Sequence, residues 1–382
     1  MPEAELLRAV DDLEQAIRAA AGEIEATRRL PDHVIDGLKR AGLFRMPMPE
    51  SWGGPEVDPL AQFRVVERLS TIDASVGWCA MIGSDGGYYS ANLDDDAARE
   101  LWTDLDDVTA GWLFPGGTAT PVDGGYTVKG RWAFGSASLH AQVMVAGCLV
   151  PHDGGIRLRA DGGPELRIVV VPAAEVTSVD TWHTTGLAGS GSNDYVIDDV
   201  FVPEEHSWAF LEPPQRDRPL YRFPYMFFGN IAAVPLGAAR AAADELIALA
   251  HEKITLPAGT AMRDEARTQT AVATIESLIA PARAWALEVL EEIWATVTAG
   301  DAVDAATTAR FRLSVMHAFR AAKQAADLAY ETAGTTAIYR PHPLDRILRD
   351  LTTMGQHMLG STRTLEPAGR VLLGLAADAP VF

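Results

Sequence analysis

Residues 124–138 read GGYTVKGRWAFGSAS, and the fold turns on how this stretch is read. Tyr126 to Phe134 is a β-rich run that opens after the turn dipeptide Asp123-Gly124. It ends in aromatic residues and turns through Gly-Ser-Ala-Ser, which puts Ser136 and Ser138 at a strand end. Hydroxyls there can hydrogen-bond a cofactor ring nitrogen, and Trp132 and Phe134 can wall a flat ring. Taken alone, a strand end with polar turn residues is the plainer reading.

Similar runs surround it. QVMVAGCLV, LRIVVVP (Leu166 to Pro172) and YVIDDVFVP (Tyr195 to Pro203) are separated by turn dipeptides such as Asp153-Gly154 and Asp161-Gly162. Several antiparallel strands with tight turns predict a small barrel or sandwich. LEPPQRDRP, Leu211 to Pro219, reads as a linker. On the N-terminal side, Ala4 to Arg29, Asp32 to Arg40, Asp58 to Ser70, Ala74 to Ile82 and Asp94 to Trp102 have helical patterns. On the C-terminal side, Gly229–Lys253, Thr268–Thr298, Ala302–Ala333 and Leu344–Ser361 predict four long helices, suited to an antiparallel bundle. The expected class is α+β: a helical domain over 1–110, a β domain over 111–215 and a four-helix bundle over 216–382.

The bulk numbers narrow the function. With 32 Lys and Arg against 52 Asp and Glu, the net charge is −20 and the pI is about 4.8. Nucleic acid and anionic membranes need a basic surface and are not expected partners. Cys79 and Cys148 sit in apolar runs, as small buried hydrophobes of a reducing compartment do. The first thirty residues lack the apolar core of a signal peptide, and no apolar run approaches a membrane span; the expected location is the cytoplasm.

Common catalytic signatures are missing. GLAGSGS, Gly186 to Ser192, lacks the Lys of a P-loop, and a strand-like run follows it where a dinucleotide fingerprint needs a helix. A loop that lets backbone approach a ligand and a plain turn both fit it. His251-Glu252 continues Lys-Ile-Thr, so the two-histidine zinc helix is absent, and no metal site is expected. There is no G-x-S-x-G elbow. LDRILRDLTTMGQHM, Leu344 to Met358, reads as an amphipathic helix with Arg346, Asp350, Thr353 and His357 along one polar stripe.

Together these pieces resemble the acyl-CoA dehydrogenase superfamily, within it the two-component, flavin-dependent monooxygenase branch. The resemblance rests on four segments in order: Gly42 to Trp78, Gly124 to Ser138, Thr181 to Pro203, and PLDRILRDLTTMGQH from Pro343 to His357. It implies that reduced flavin (FMN or FAD) arrives from a separate NAD(P)H flavin reductase. The flavin reacts with O2 to a C4a-hydroperoxide, which passes one oxygen to a small organic substrate. Ser136 falls where the superfamily hydrogen-bonds flavin N5, and His357 where this branch places a histidine beside C4a. Trp182 and the Gly186–Ser192 loop, with Gly189 and Ser190, fall beside the ring. Trp132, Phe134 and Ser138 complete the expected cofactor set. Trp78, Asp85, Tyr88, Tyr225 and Phe228 are the expected substrate contacts.

Absences point the same way. No glutamate lies between Glu331 and Glu366, where a dehydrogenase of the superfamily can keep its base, and the other position for that base falls in aromatic YMFFGN, Tyr225 to Asn230. The Arg-x-x-Phe-Gly motif that holds an FAD diphosphate is missing around residues 251–264. Phenol hydroxylases of the branch carry a histidine near Gly83 to Gly86, where this chain has IGSDGGYY. The rival expectation is a flavin dehydrogenase or oxidase on a non-thioester substrate. The water that would collapse a peroxyflavin must be excluded, and Trp78, Trp132, Phe134, Trp182, Tyr225, Phe227 and Phe228 are the expected dry wall. The apolar surface of the bundle implies a homo-oligomer, as in the tetramers of the superfamily.

Overall fold

The computed structural model describes residues 2–159, 162–210, 212–257 and 259–377. Asp161 of one expected turn and Leu211 of the expected linker lie outside them. The N-terminal part holds α1 (Glu3–Thr27), α2 (Asp32–Arg40), α3 (Pro59–Ile72), α4 (Ala74–Gly83), α5 (Gly86–Ser90) and α6 (Asp95–Leu101). Two aspartates start the pair that carries the site. Asp58 accepts the Ala61 N–H with Pro59 at the first helical position of α3, and Asp73 accepts the Ser75 and Val76 N–H groups of α4. α4 has almost no polar side chain and is buried nearly throughout.

The central part is one seven-stranded mixed sheet. Its members are β1 (Thr109–Val122), β2 (Gly125–Gly135), β3 (Val143–Leu149), β6 (Leu166–Pro172), β7 (Thr177–Val179), β8 (Asn193–Pro203) and β9 (Ser207–Ala209). A small separate hairpin joins β4 (Pro151–His152) to β5 (Gly155–Ile156). The order is β7-β8-β2-β1-β3-β6-β9, so β7 and β9 are edges, and where a small barrel or sandwich was expected the barrel is not closed. The expectation of wholly antiparallel strands fails too, because β3 lies parallel to β1. The Asp123-Gly124 turn, with Gly124 at φ 77°, makes the β1–β2 hairpin as expected. The segment after β2 then crosses over and lays β3 on the far side of β1. Turn chemistry specifies hairpins; it does not say beside which strand a longer connection lands.

The C-terminal part comprises α7 (Pro219–Arg222), α8 (Ala233–Glu252), a hairpin of β10 (Ile254–Thr255) and β11 (Thr260–Ala261), α9 (Ala266–Ala299), α10 (Ala305–Ala333), α11 (Pro343–Met354) and α12 (Leu365–Leu372). α10 packs against α8, α9, α11 and α12, and α3 lies along α8. The stretch Met226–Glu252 is long and apolar enough to span a membrane, contrary to the sequence expectation, but 83% of its apolar window is buried inside this protein. One apolar core runs continuously from the N-terminal helices into the C-terminal ones, and a second lies within the sheet.

The last long helix is shorter than expected. α11 stops at Met354, Gly355 follows, and His357 caps the 3-10 turn Met358–Gly360. The expected stripe Arg346, Asp350, Thr353, His357 therefore breaks before its last member. That break moves His357 off the helix surface and into the space between α4, α10 and Phe228.

Candidate active site

Ser136, Trp78 and His357 come from three distant parts of the sequence and meet. Trp78 on α4 donates its indole N–H to Ser136 Oγ at 3.0 Å and presents its ring edge to His357, centroids 5.5 Å apart. Phe319 stacks with His357 at 6.4 Å and Phe228 meets it edge-on at 6.5 Å. Burial, with the Arg312 charge adding to it, pushes the His357 imidazole down to about 4, so the ring is neutral at pH 7. Its Nδ1 accepts the Leu359 N–H at 3.3 Å. A neutral ring that accepts through Nδ1 carries its proton on Nε2, which makes Nε2–H the available donor.

Ser136 is the first member of a hydroxyl chain. Its Oγ lies 2.7 Å from Ser192 Oγ, which lies 2.7 Å from Ser190 Oγ, and Ser190 donates to the Leu187 carbonyl at 2.7 Å. The same carbonyl accepts the Trp182 indole N–H at 2.9 Å. Behind it, the Leu187 N–H donates to Asp350 Oδ1 on α11 at 2.6 Å. Asp350 is buried, and desolvation, reinforced by the neighbouring charge of Asp73, pushes it up to about 7. Arg346 approaches Asp73 at 3.7 Å and tempers the effect.

The Gly186–Ser192 loop is therefore a packed structural element. A Cβ on Gly189 would sit 2.1 Å from Ile24, and one on Gly186 2.1 Å from the Arg349 carbonyl. These glycines let α1, α4 and α11 close in, a packing role that the reading of Gly189 as a ligand contact did not include. Ser190, 1% exposed, likewise reaches the site through Ser192.

Trp132 needs a correction. It is 1% exposed, stacks on Tyr195 at 5.5 Å inside the sheet core and donates to the Gly147 carbonyl at 2.7 Å. Phe134, two residues on, is 52% exposed and lies on an aromatic shelf with Trp112 and Trp182. Sequence parity puts Trp132 and Phe134 on one face. An irregularity in the β2–β8 pairing between Trp132 and Gly135, with Phe134 at φ 63°, sends them to opposite sides. Ser138 Oγ is buried and has no hydrogen-bond partner among the described residues.

The cavities open beside this junction. One, about 40 Å³, is lined by Tyr88, Tyr89, Trp208, Phe210, Tyr221 and Phe227. Its neighbour, about 10 Å³, shares Leu113, Phe210 and Phe227 with it and adds Tyr225, Phe228, Arg312 and Met358. Of the expected substrate contacts, Tyr88, Tyr225 and Phe228 line these spaces. Trp78 lies against His357. Asp85 lies outside both linings: it is buried, its pKa is raised by desolvation, Tyr89 donates to it at 3.1 Å, and its Oδ1 has no partner among the described residues. A wider hollow of about 420 Å³, between Lys253–Met262 and Thr332–Thr335, touches none of these residues.

Known proteins resemble this chain over most of its length. The acyl-CoA dehydrogenase N-terminal domain matches residues 3–100 and the acyl-CoA dehydrogenase C-terminal domain residues 230–362. An indole-3-acetate monooxygenase of Pseudomonas putida is 35% identical over 94% of this chain and 90% of its own length. The chain belongs to the acyl-CoA dehydrogenase family. Its relatives place it in the flavin-dependent monooxygenase branch. The oxygenase subunit HsaA of a Rhodococcus jostii flavin-dependent monooxygenase is 30% identical over 90% of this chain and 91% of its own length. The crystal structure of a 3-HSA hydroxylase from Rhodococcus superposes with a TM-score of 0.89 at 28% identity, covering 97% of each chain.

A flavin ring suits the residues that this member of the family brings together. The Ser136 oxygen, the Nε2–H of the neutral His357, the Ser138 hydroxyl and the Phe134–Trp182 shelf have the chemistry that would hold a heteroaromatic ring: hydrogen-bonding groups and flat apolar surface. Reasoning from sequence missed Arg312, and it named Ser192 only as the end of a loop and Asp350 only as a member of a polar stripe. Arg312 left a signal: on α10 it shares the stripe of Thr308, Val315 and Phe319, so a cation falls on a buried face.

Proposed function

We propose that this chain is the oxygenase component of a two-component monooxygenase, served with reduced flavin by a separate reductase, and that its substrate is a small aromatic acid. The observation that carries this is the meeting of Ser136, Trp78 and His357 beside an aromatic cavity with a guanidinium in its wall. The names of its relatives, an indole-3-acetate monooxygenase and an oxygenase subunit, support the same reading.

Reduced flavin, when bound, supplies the electrons that activate O2. The protein's residues do the rest. Ser136 holds the ring edge. His357 keeps its proton on Nε2 and would offer that N–H to the reacting centre; it would do so as a neutral imidazole, since burial holds its pKa down at about 4. Tyr225, Phe227, Phe228 and Phe210 keep water from the reacting atoms. Arg312, 3% exposed, lies with its guanidinium carbon 4.8 Å over the Tyr225 ring and 5.8 Å from the Phe228 ring. A guanidinium on an aromatic wall suits a substrate with a flat ring and a carboxylate.

The test supplies reduced FMN or FAD, 18O2 and indole-3-acetate, with phenylacetate and indole as comparators. One 18O atom in the product from the acids supports the reading. Stoichiometric hydrogen peroxide with no labelled product from any of them overturns it.

We also propose a homo-oligomer, a tetramer built on a bundle of α8 to α11, working in the cytoplasm. Exposed Ile338, Tyr339, Leu365, Leu372, Leu373 and Leu375 support the association. Light scattering that returned a monomer would remove it.

A further inference from the structure

Hydrogen-bond directions around Ser136 follow from the two ends of its chain. At one end a carbonyl, Leu187 O, can only accept, so the Ser190 hydroxyl proton is committed to it. Ser190 Oγ must then accept from Ser192, which spends the Ser192 proton. Ser192 Oγ must in turn accept from Ser136, which spends the Ser136 proton. At the other end the Trp78 indole N–H can only donate, and it donates to Ser136 Oγ. The order is Trp78 N–H to Ser136 O–H to Ser192 O–H to Ser190 O–H to Leu187 carbonyl. Both ends enforce one direction, and reversing any member would leave two donors or two acceptors facing each other in a buried place. Ser136 keeps one lone pair and no proton to offer. Ser136 is itself buried, 7% exposed, so a partner for that remaining acceptor has to come from a bound ligand.

A reduced flavin carries hydrogen on N5 and donates there; an oxidised flavin has a bare N5 lone pair and accepts. We infer that Ser192 and Ser190 are positioning residues that hold Ser136 as an acceptor, so that the site discriminates for reduced and against oxidised flavin. This inference rests on the proposed flavin function and adds a cause for redox selectivity. The buried amide behind Leu187, donating to Asp350, keeps the terminal carbonyl in place.

Removing a member frees the proton. In Ser192→Ala the Ser136 hydroxyl has lost its acceptor and turns toward N5. In Ser190→Ala the Ser192 hydroxyl turns back on Ser136, with the same result at N5. Exchanging a matched hydrogen bond for a clash of lone pairs alters an equilibrium by roughly 10-fold. The experiment titrates full-length wild type and both variants with FMN and with FAD, anaerobically after dithionite reduction and aerobically in the oxidised state. Tryptophan quenching reads Kd. Wild type is expected to bind reduced flavin more tightly. Both variants should lower the ratio of oxidised to reduced Kd on the order of 10-fold, chiefly by tightening oxidised binding, and Ser192→Thr should restore it. A purely structural role would weaken both states alike and leave the ratio unmoved; that result overturns the inference while the function stands. If wild type binds neither redox state, the inference and the proposed function both fall.

Discussion

The two walls of the site solve different problems. On the sheet side the hydroxyls of Ser136, Ser192 and Ser190 bond to one another in a line, and the line is tied through Leu187 to a buried carboxyl on α11. On the bundle side the wall is aromatic, with a neutral histidine and a buried guanidinium as its polar features. A satisfied network fixes geometry and direction, as the seating of a cofactor ring requires. A cation on an aromatic wall supplies charge and flatness, as the sorting of substrates requires. Fixed polarity and selectable charge are thus kept on separate elements, and each can be broken without the other.

The largest effect is expected at the point where the walls meet. His357→Ala removes the Nε2–H donor and should lower oxygen transfer by ~100-fold, with hydrogen peroxide rising in step. Reduced-flavin affinity should change little, because Ser136 and the aromatic shelf remain. Quantifying labelled product against peroxide checks this; unchanged coupling would take His357 out of the mechanism. A smaller effect is expected from the bundle wall alone. Arg312→Met keeps the length of the side chain and removes its charge. A lost charge-assisted hydrogen bond is worth about 1.5–3 kcal/mol, so KM for indole-3-acetate should rise roughly 10- to 100-fold. KM for the neutral indole-3-acetamide should hardly change, and equal losses on acid and amide would show that Arg312 serves packing only.

The sequence made one wall more legible than the other. Helices and the Asp123-Gly124 hairpin follow from patterns local to each segment and match the structure, whereas the pairing of Ser136 with His357 was implied only by the family resemblance. The open sheet was not legible, because a crossover such as the one between β2 and β3 is decided by which edge is vacant when the strand docks. Trp132 was misplaced because parity along β2 is broken by the irregularity before Gly135, which leaves no mark beyond a permissive glycine. The stop of α11 before His357 was missed because Gly355 and the apolar Met358 fit a helix as well as a turn. Arg312 is the opposite case: a charge on an apolar stripe was visible, and its meaning depended on Tyr225 and Phe228, nearly ninety residues away.

Trp132 and Phe134 test whether the wall begins where the β2–β8 irregularity puts it. Trp132→Phe removes a buried hydrogen bond to the Gly147 carbonyl, at a cost of about 0.5–1.5 kcal/mol. Thermal unfolding should show the loss while reduced-flavin affinity stays the same. Phe134→Ala should do the reverse, leaving Tm unchanged and weakening flavin a few-fold. Matching behaviour of the two variants would contradict the split between core and shelf.

The finest test concerns the tie behind the sheet wall. Asp350 has its folded pKa raised to about 7, against an ordinary carboxyl value of 3.8. Between those values the folded protein holds a proton that the unfolded chain releases, so this group's contribution is complete below about pH 4 and is lost as pH rises through 7. His357 works in the opposite sense: depressed from 6.5 to about 4, it favours the folded state above 6.5 and loses that contribution as pH falls toward 4. The two slopes oppose each other across the same window, so wild type can look flat. Asp350→Asn retains an oxygen to accept the Leu187 N–H and deletes the titration. Its Tm should equal that of wild type near pH 4 and exceed it by a few degrees at pH 8, a modest gain because Arg346 and Arg349 already ease the charge. The unmasked His357 slope should then appear, with Tm falling between pH 6.5 and 4. A variant whose Tm profile runs parallel to that of wild type would show that Asp350 is not the group that titrates.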